Sequence, residues 1–134
     1  MVEFDVDQKC AMIRAAEALI GCDWKSFGRD PLDGLDCYGF VMHVYAAAGI
    51  KLPDPAKTDD AIYQLFEPFS HGEFGDIYHM KGSDGVDHVG IVLTKTKGSP
   101  FIAECVKKHG VRIIDLRALE RVKDVTYYRL KAAK

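Results

Sequence analysis

Cys37 and His88 are the side chains of this sequence whose types and settings suit covalent chemistry. Cys37 follows Asp36 in "GLDCYGFVMHVYAAAGI" (34–50), where Cys37, Phe40, Val41, Val44, Tyr45 and Ala48 recur at the spacing of one apolar helix face. Asp36 stands at the cap position and Gly49 at the far end, so the thiol falls in the first turn. Unsatisfied N–H groups and the helix dipole favour a thiolate there. The competing reading makes Cys37 only the first small hydrophobe of the stripe. His88, in "DHVGIVL" (87–93), is followed by a strand pattern with a glycine two residues on. A thiol nucleophile needs a distant histidine of this kind, because the imidazole takes its proton. By itself, one cysteine and one histidine are weak evidence.

The elements that must position this pair follow from pattern. Residues 7–20 fit a helix with Cys10, Ile13, Ala16, Leu19 and Ile20 along one side. "GCDWKSFGRDPLDG" (21–34) reads as a shaped loop, and the prolines of "LPDPAKTDD" preclude regular structure. A short helix is expected around 58–66. Strands are expected at 75–80, 87–93, 101–106, 111–115 and 124–130, with a hairpin across "KKHG" and the last strand closing the sheet. Helices first and strands second argue α+β with an antiparallel sheet.

Composition narrows the function classes. The 134 residues read as a single domain, 1–134, with 48% hydrophobic and 28% charged residues, which is globular composition. A net charge of −2 without a basic block gives no nucleic-acid or membrane-surface footprint. No apolar run is long enough to cross a bilayer, so no membrane insertion is expected. Cys10, Cys22, Cys37 and Cys105 form no C-x-x-C pair or zinc spacing, so no metal and no cofactor is expected. "MVEFDVDQKC" lacks the regions of a signal peptide, which gives a cytoplasmic protein when made, with unpaired thiols.

Three motifs in order resemble the NlpC family of cell-wall cysteine peptidases. "GLDCYGFVMHVYAAAGIKLPD" is similar to that family's D-C-x-G-hydrophobic-V segment. "GDIYHM" and "DHVGIVL" resemble its G-D-hydrophobic and H-V-G-I strands. "IGCDWKSFGRDPLDGLDC" is similar to the version found near phage tail genes, in its G-x-x-aromatic turn, its Gly-Arg pair and its Cys-Tyr. The resemblance runs from about residue 10 to residue 115. It implies a papain-like α+β fold, the Cys-bearing helix packed on an antiparallel sheet, and cleavage of amide bonds in peptidoglycan stem peptides beside D-glutamate and diaminopimelate. It makes Cys37 the nucleophile and His88 the general base, and implies phage tail proteins as partners and delivery at a tail tip. A structural tail component without turnover, and a thiol enzyme acting on another acyl group, stay open as alternatives.

The resemblance also assigns supporting residues. Trp24 falls where relatives carry an aromatic that lines the pocket or helps hold the oxyanion; simple packing is the other reading. The Cys37 N–H is the better oxyanion donor. Asp36 is most simply an N-cap; Tyr38 and His79 complete the substrate-binding candidates, His79 as a border of the cleft. Relatives place a His, Asn or Gln on the strand resembling "FIAECV" to orient the histidine. This chain has no Asn, and Gln8 and Gln64 lie in its helical half. Ala103 or Glu104 occupies the position, and only Glu104 can accept an imidazole N–H. The alternative points Glu104 to solvent, with His109 a weaker substitute. His43 is expected to be exposed, and Cys10, Cys22 and Cys105 to be core residues.

Overall fold

The computed structural model describes residues 3–54, 65–81, 87–94, 100–121 and 124–131. The first helix, α1 (Val6–Ala18), is started by a capping box. The Asp5 carboxylate accepts from the Gln8 N–H at 2.7 Å, and the Gln8 side chain accepts from the Asp5 N–H at 3.0 Å. Two short strands, β1 (Arg29–Asp30) and β2 (Gly34–Leu35), pair within the segment expected to be a loop. The second helix, α2 (Cys37–Ala47), begins directly after its N-cap Asp36, whose side chain accepts from the Gly39 N–H at 2.6 Å.

The remaining strands are β3 (Phe66–Phe69), β4 (Ile77–Lys81), β5 (Asp87–Thr94), β6 (Pro100–Val106), β7 (Gly110–Asp115) and β8 (Thr126–Leu130). They form one sheet of six strands in the order β3-β8-β4-β5-β6-β7, with every neighbouring pair antiparallel. A 3-10 helix, Leu116–Arg121, links β7 to β8. The fold is therefore α+β. Among the described residues, no helix is long and apolar enough to cross a membrane.

The pleat sends alternate side chains to two cores. Ile91, Leu93, Ala103 and Cys105 pack with Phe40, Val41, Val44 and Tyr45 of α2. On the other face, Tyr78, Val92 and Ile102 pack with Leu119 of the 3-10 helix. Covering on both sides is why β6 is buried from Ile102 to Cys105 without an exposed position in between.

Several expectations need correction. The buried stripe of α1 is Met12 and Ala16, an i, i+4 pair facing α2, while Cys10 and Ile20 are exposed. Cys22 is half-buried, and only Cys105 of the three auxiliary cysteines is fully buried. Most of the expected helix at 58–66 lies outside the described residues, and Phe66 opens strand β3 instead. The last strand does not close an edge: β8 lies between β3 and β4.

Candidate active site

Cys37 is the first residue of α2, and its amide is one of the first-turn N–H groups without an intrahelical acceptor. A methyl group on Gly39 would overlap the Gly28 carbonyl, so glycine in "DCYG" lets the 28–29 backbone lie against this turn. Arg29 secures that approach. Its Nη1 donates to the Gly28 carbonyl at 2.9 Å and to Asp36 Oδ1 at 2.7 Å, and its Nε and Nη2 donate to Asp54, each at 3.2 Å. His43 is half-buried rather than exposed, because its Nε2 lies 2.8 Å from the Arg29 carbonyl.

Cys37, at the start of α2, is close enough to His88 to favour the charged form of its imidazole. The His88 Nε2 lies 3.1 Å from Glu104 Oε1. Glu104 is only 4% exposed, so the solvent-facing alternative does not hold. The Tyr78 hydroxyl donates to Glu104 Oε1, and Arg112 Nε and Nη2 each reach Glu104 Oε2 at 2.8 Å. Arg112 is the cross-strand neighbour of Glu104 in the β6–β7 hairpin. Among the described residues, no buried side-chain nitrogen or oxygen lacks a partner.

These contacts set the charges. Burial opposes a charged ring on His88, but hydrogen bonds to Cys37 and Glu104 and their negative charge outweigh it and lift the imidazole to about 9. Burial also opposes the Glu104 carboxylate, but hydrogen bonds from His88 and Tyr78, the His88 charge and the Arg112 bond hold it down to about 2. Burial, then the Glu104 charge, pushes the Tyr78 phenol well above its ordinary value, so it stays a donor. The arrangement is a cysteine sulfur near an imidazole anchored on a buried carboxylate, which is a constellation for acyl transfer.

The other candidates lie around this group in different ways. Trp24 is half-buried, bridges the backbone of Leu35 two residues before Cys37, and carries Lys107 Nζ 5.1 Å from its ring centroid. Asp36 is engaged by the helix cap and Arg29. Tyr38 is buried, and its hydroxyl donates to the Pro53 carbonyl at 2.9 Å. His79 is in register with Val89, and His88 with Met80, so the two histidines leave opposite faces of the β4–β5 pair. The Nε2 of His79 lies 3.3 Å from Asp87 Oδ1. His109 is exposed in the β6–β7 turn. Among the described residues, no three His, Cys, Asp or Glu side chains converge as ligands for a metal.

Two members of the network, Tyr78 and Arg112, were not singled out from sequence. Hairpin counting across "KKHG" places Arg112 opposite Glu104, and pairing "GDIYHM" with "DHVGIVL" places Tyr78 opposite Gly90. Both signals were present as strand register.

Residues 23–126 match the family model of the NlpC/P60 family. The chain belongs to the NlpC/P60 family. It is 31% identical over 83 residues to the gamma-DL-glutamyl hydrolase of Bacillus subtilis (strain 168), covering 60% of this chain and 20% of that enzyme. The chain thus spans about a fifth of the length of that curated relative. Solved NlpC/P60 structures share the fold. A lipoprotein-like member from Staphylococcus aureus subsp. aureus Mu50 aligns with TM-score 0.69 and 22% identity over 98% of this chain and 44% of its own. The domain of the peptidoglycan hydrolase SagA aligns with TM-score 0.59 and 21% identity, covering 92% of this chain and 98% of that domain. A Bacillus cereus ATCC 10987 member gives TM-score 0.67 and 18% identity over 95% of this chain and 41% of its own. The architecture common to these NlpC/P60 chains is the papain-like α+β arrangement of helix on antiparallel sheet.

Proposed function

We propose that this NlpC/P60 chain is a thiol endopeptidase that cleaves amide bonds in bacterial peptidoglycan stem peptides. The observation that carries the reading is Cys37 at the N-terminus of α2, close enough to His88 to favour its charged form, with His88 Nε2 3.1 Å from the buried Glu104 carboxylate. Cys37 Sγ attacks the amide carbonyl carbon, and the charge that develops on oxygen faces the Cys37 N–H. The His88 imidazolium gives its proton to the leaving nitrogen as the C–N bond breaks, leaving a thioester on Cys37. Neutral His88 then takes a proton from water, whose oxygen attacks the thioester and releases the thiolate. Glu104 keeps the ring oriented and stabilises its charged form throughout.

Similarity to a gamma-DL-glutamyl hydrolase supports a glutamyl amide as the scissile bond. Trp24, beside Leu35 and close in sequence to the nucleophile, is the residue we assign to the substrate-side wall. The phage-tail part of the reading rests on the loop before Cys37. There Gly28 and Arg29, the pair resembling tail-associated members, brace the first turn of α2 through Gly39 and Asp36. In this reading the protein is made in the cytoplasm and carried to the wall by a tail, with tail proteins as partners.

Incubation of purified protein with peptidoglycan, followed by mass spectrometry of new amine ends, tests the activity. New glutamyl-linked ends with wild type and none with Cys37→Ala are expected. Intact stem peptides with both proteins would leave the structural, non-hydrolytic reading.

A further inference from the structure

We propose that Tyr78 is a positioning residue of this site, holding Glu104 in place for His88 by reaching over strand β5 through the gap left by Gly90. This inference rests on the reading of Cys37 and His88 as the reacting pair, and adds a residue from a strand that carries neither.

The geometry is a consequence of register. Tyr78 on β4 is paired with Gly90 on β5. On the other side, the β5–β6 ladder runs from Thr94↔Pro100 to Ile91↔Ala103, and Gly90 and Glu104 are the next residue of each strand. Tyr78 of β4 and Glu104 of β6 thus lie on either side of Gly90, and their side chains meet across it. Any side chain on Gly90 would stand between the outer two. A methyl group built there overlaps the Tyr78 ring and hydroxyl. With only hydrogen at that point, the phenol lies across β5 and its hydroxyl donates to Glu104 Oε1.

The hydroxyl is also 3.4 Å from His88 Nε2, so tyrosine, carboxylate and imidazole meet at one point. The Tyr78 and His88 rings are 5.9 Å apart and tilted by 58°. Tyr78 is fully buried, which fixes its ring in the notch. Arg112 takes the second oxygen of Glu104 from the other side. The carboxylate is thus held by Tyr78 at Oε1 and by Arg112 at Oε2, and the remaining capacity of Oε1 is directed at His88. An exposed glutamate would lose side-chain entropy when it oriented the ring; here that freedom is removed by the fold.

Tyr78→Phe keeps the ring in the notch and removes only the donor. The variant is compared with wild type by 15N NMR of the His88 ring and by hydrolysis of a stem peptide. In wild type the Nε2–H proton is expected as a resolved, slowly exchanging signal at neutral pH. In Tyr78→Phe that signal is expected to be lost to solvent exchange, with kcat lowered about tenfold and KM within about twofold. In a Glu104→Ala background the same substitution is expected to add no further loss, because the hydroxyl acts through the carboxylate. An unchanged His88 signal with turnover within about twofold of wild type overturns the proposal, as does an equal loss in both backgrounds. If wild type hydrolyses no stem peptide, the proposed function fails while the His88 signal still decides the role of Tyr78. The signal lost in Tyr78→Phe supports that role, and the signal retained overturns it.

Discussion

His88 Nε2 and Glu104 Oε1 lie 3.1 Å apart on neighbouring strands, with the carboxylate nearly excluded from solvent. A carboxylate in this position differs from a neutral orienting residue in one physical respect. It stabilises the charged imidazole as well as fixing its tautomer. Glu104→Gln preserves the shape and removes the charge. Turnover is expected to fall by about tenfold or more while the fold is kept. The alkaline limb of the kcat/KM profile is expected to move to lower pH, since the imidazolium loses its counter-charge. Steady-state kinetics of the two proteins across pH check both effects.

The same pair makes stability depend on pH. His88 is raised from 6.5 to about 9, so its contribution is complete below pH 6.5 and is lost as pH rises through 9. Glu104 is lowered from 4.5 to about 2, so its contribution is complete above pH 4.5 and is lost as pH falls through 2. Urea unfolding of wild type and of His88→Ala/Glu104→Gln should therefore differ most between pH 4.5 and 6.5. A difference that does not vary with pH would deny the pair its charge.

Gly90→Ala places a methyl group where Tyr78 crosses β5. Overpacking at such a contact costs about 1–3 kcal/mol. The midpoint of denaturant unfolding should drop accordingly, and turnover should fall with it, because Tyr78 must leave Glu104. Gly21, which has open space around its Cβ direction, offers no such overlap, although its positive φ makes alanine strained there too.

Asp36→Ala removes the acceptor for the Gly39 N–H and one partner of Arg29. The loss of a helix N-cap costs about 1 kcal/mol. The expected result is a less stable protein with slower alkylation of Cys37, measured by urea unfolding and by mass spectrometry of iodoacetamide adducts. Cys10 is exposed, so faster labelling of Cys37 than of Cys10 in wild type would report reactivity rather than access. Cys105 should stay unlabelled, since burial pushes its thiol up to about 12.

The sequence made the Cys-bearing helix legible because its cap and its apolar stripe are local signals. Asp36, Phe40, Val41, Val44 and Tyr45 all occupy the roles that their spacing implies. Strands β5, β6 and β7 were legible for the same reason, each within a residue or so at either end. The burial of α1 was not, since Cys10 and Ile20 suit an apolar face as well as Met12 does, and only packing on α2 chooses. Strand β3 was missed because Phe66–Phe69 is short and contains Pro68, and its partner β8 lies some sixty residues on. Glu104 was legible as a candidate but not in its orientation, which depends on Tyr78 and Arg112 from two other strands. Pairwise register between strands, rather than pattern along any one of them, assembled the site.

The most direct test of the account is the covalent intermediate itself. Wild-type protein is mixed with a stem peptide, quenched in acid within its first turnovers, digested and read by mass spectrometry. The account predicts an acyl adduct on the peptide that contains Cys37, and neither adduct nor hydrolysis in Cys37→Ala. Hydrolysis that persists in Cys37→Ala, or an adduct carried by Cys10, Cys22 or Cys105 instead, would contradict it.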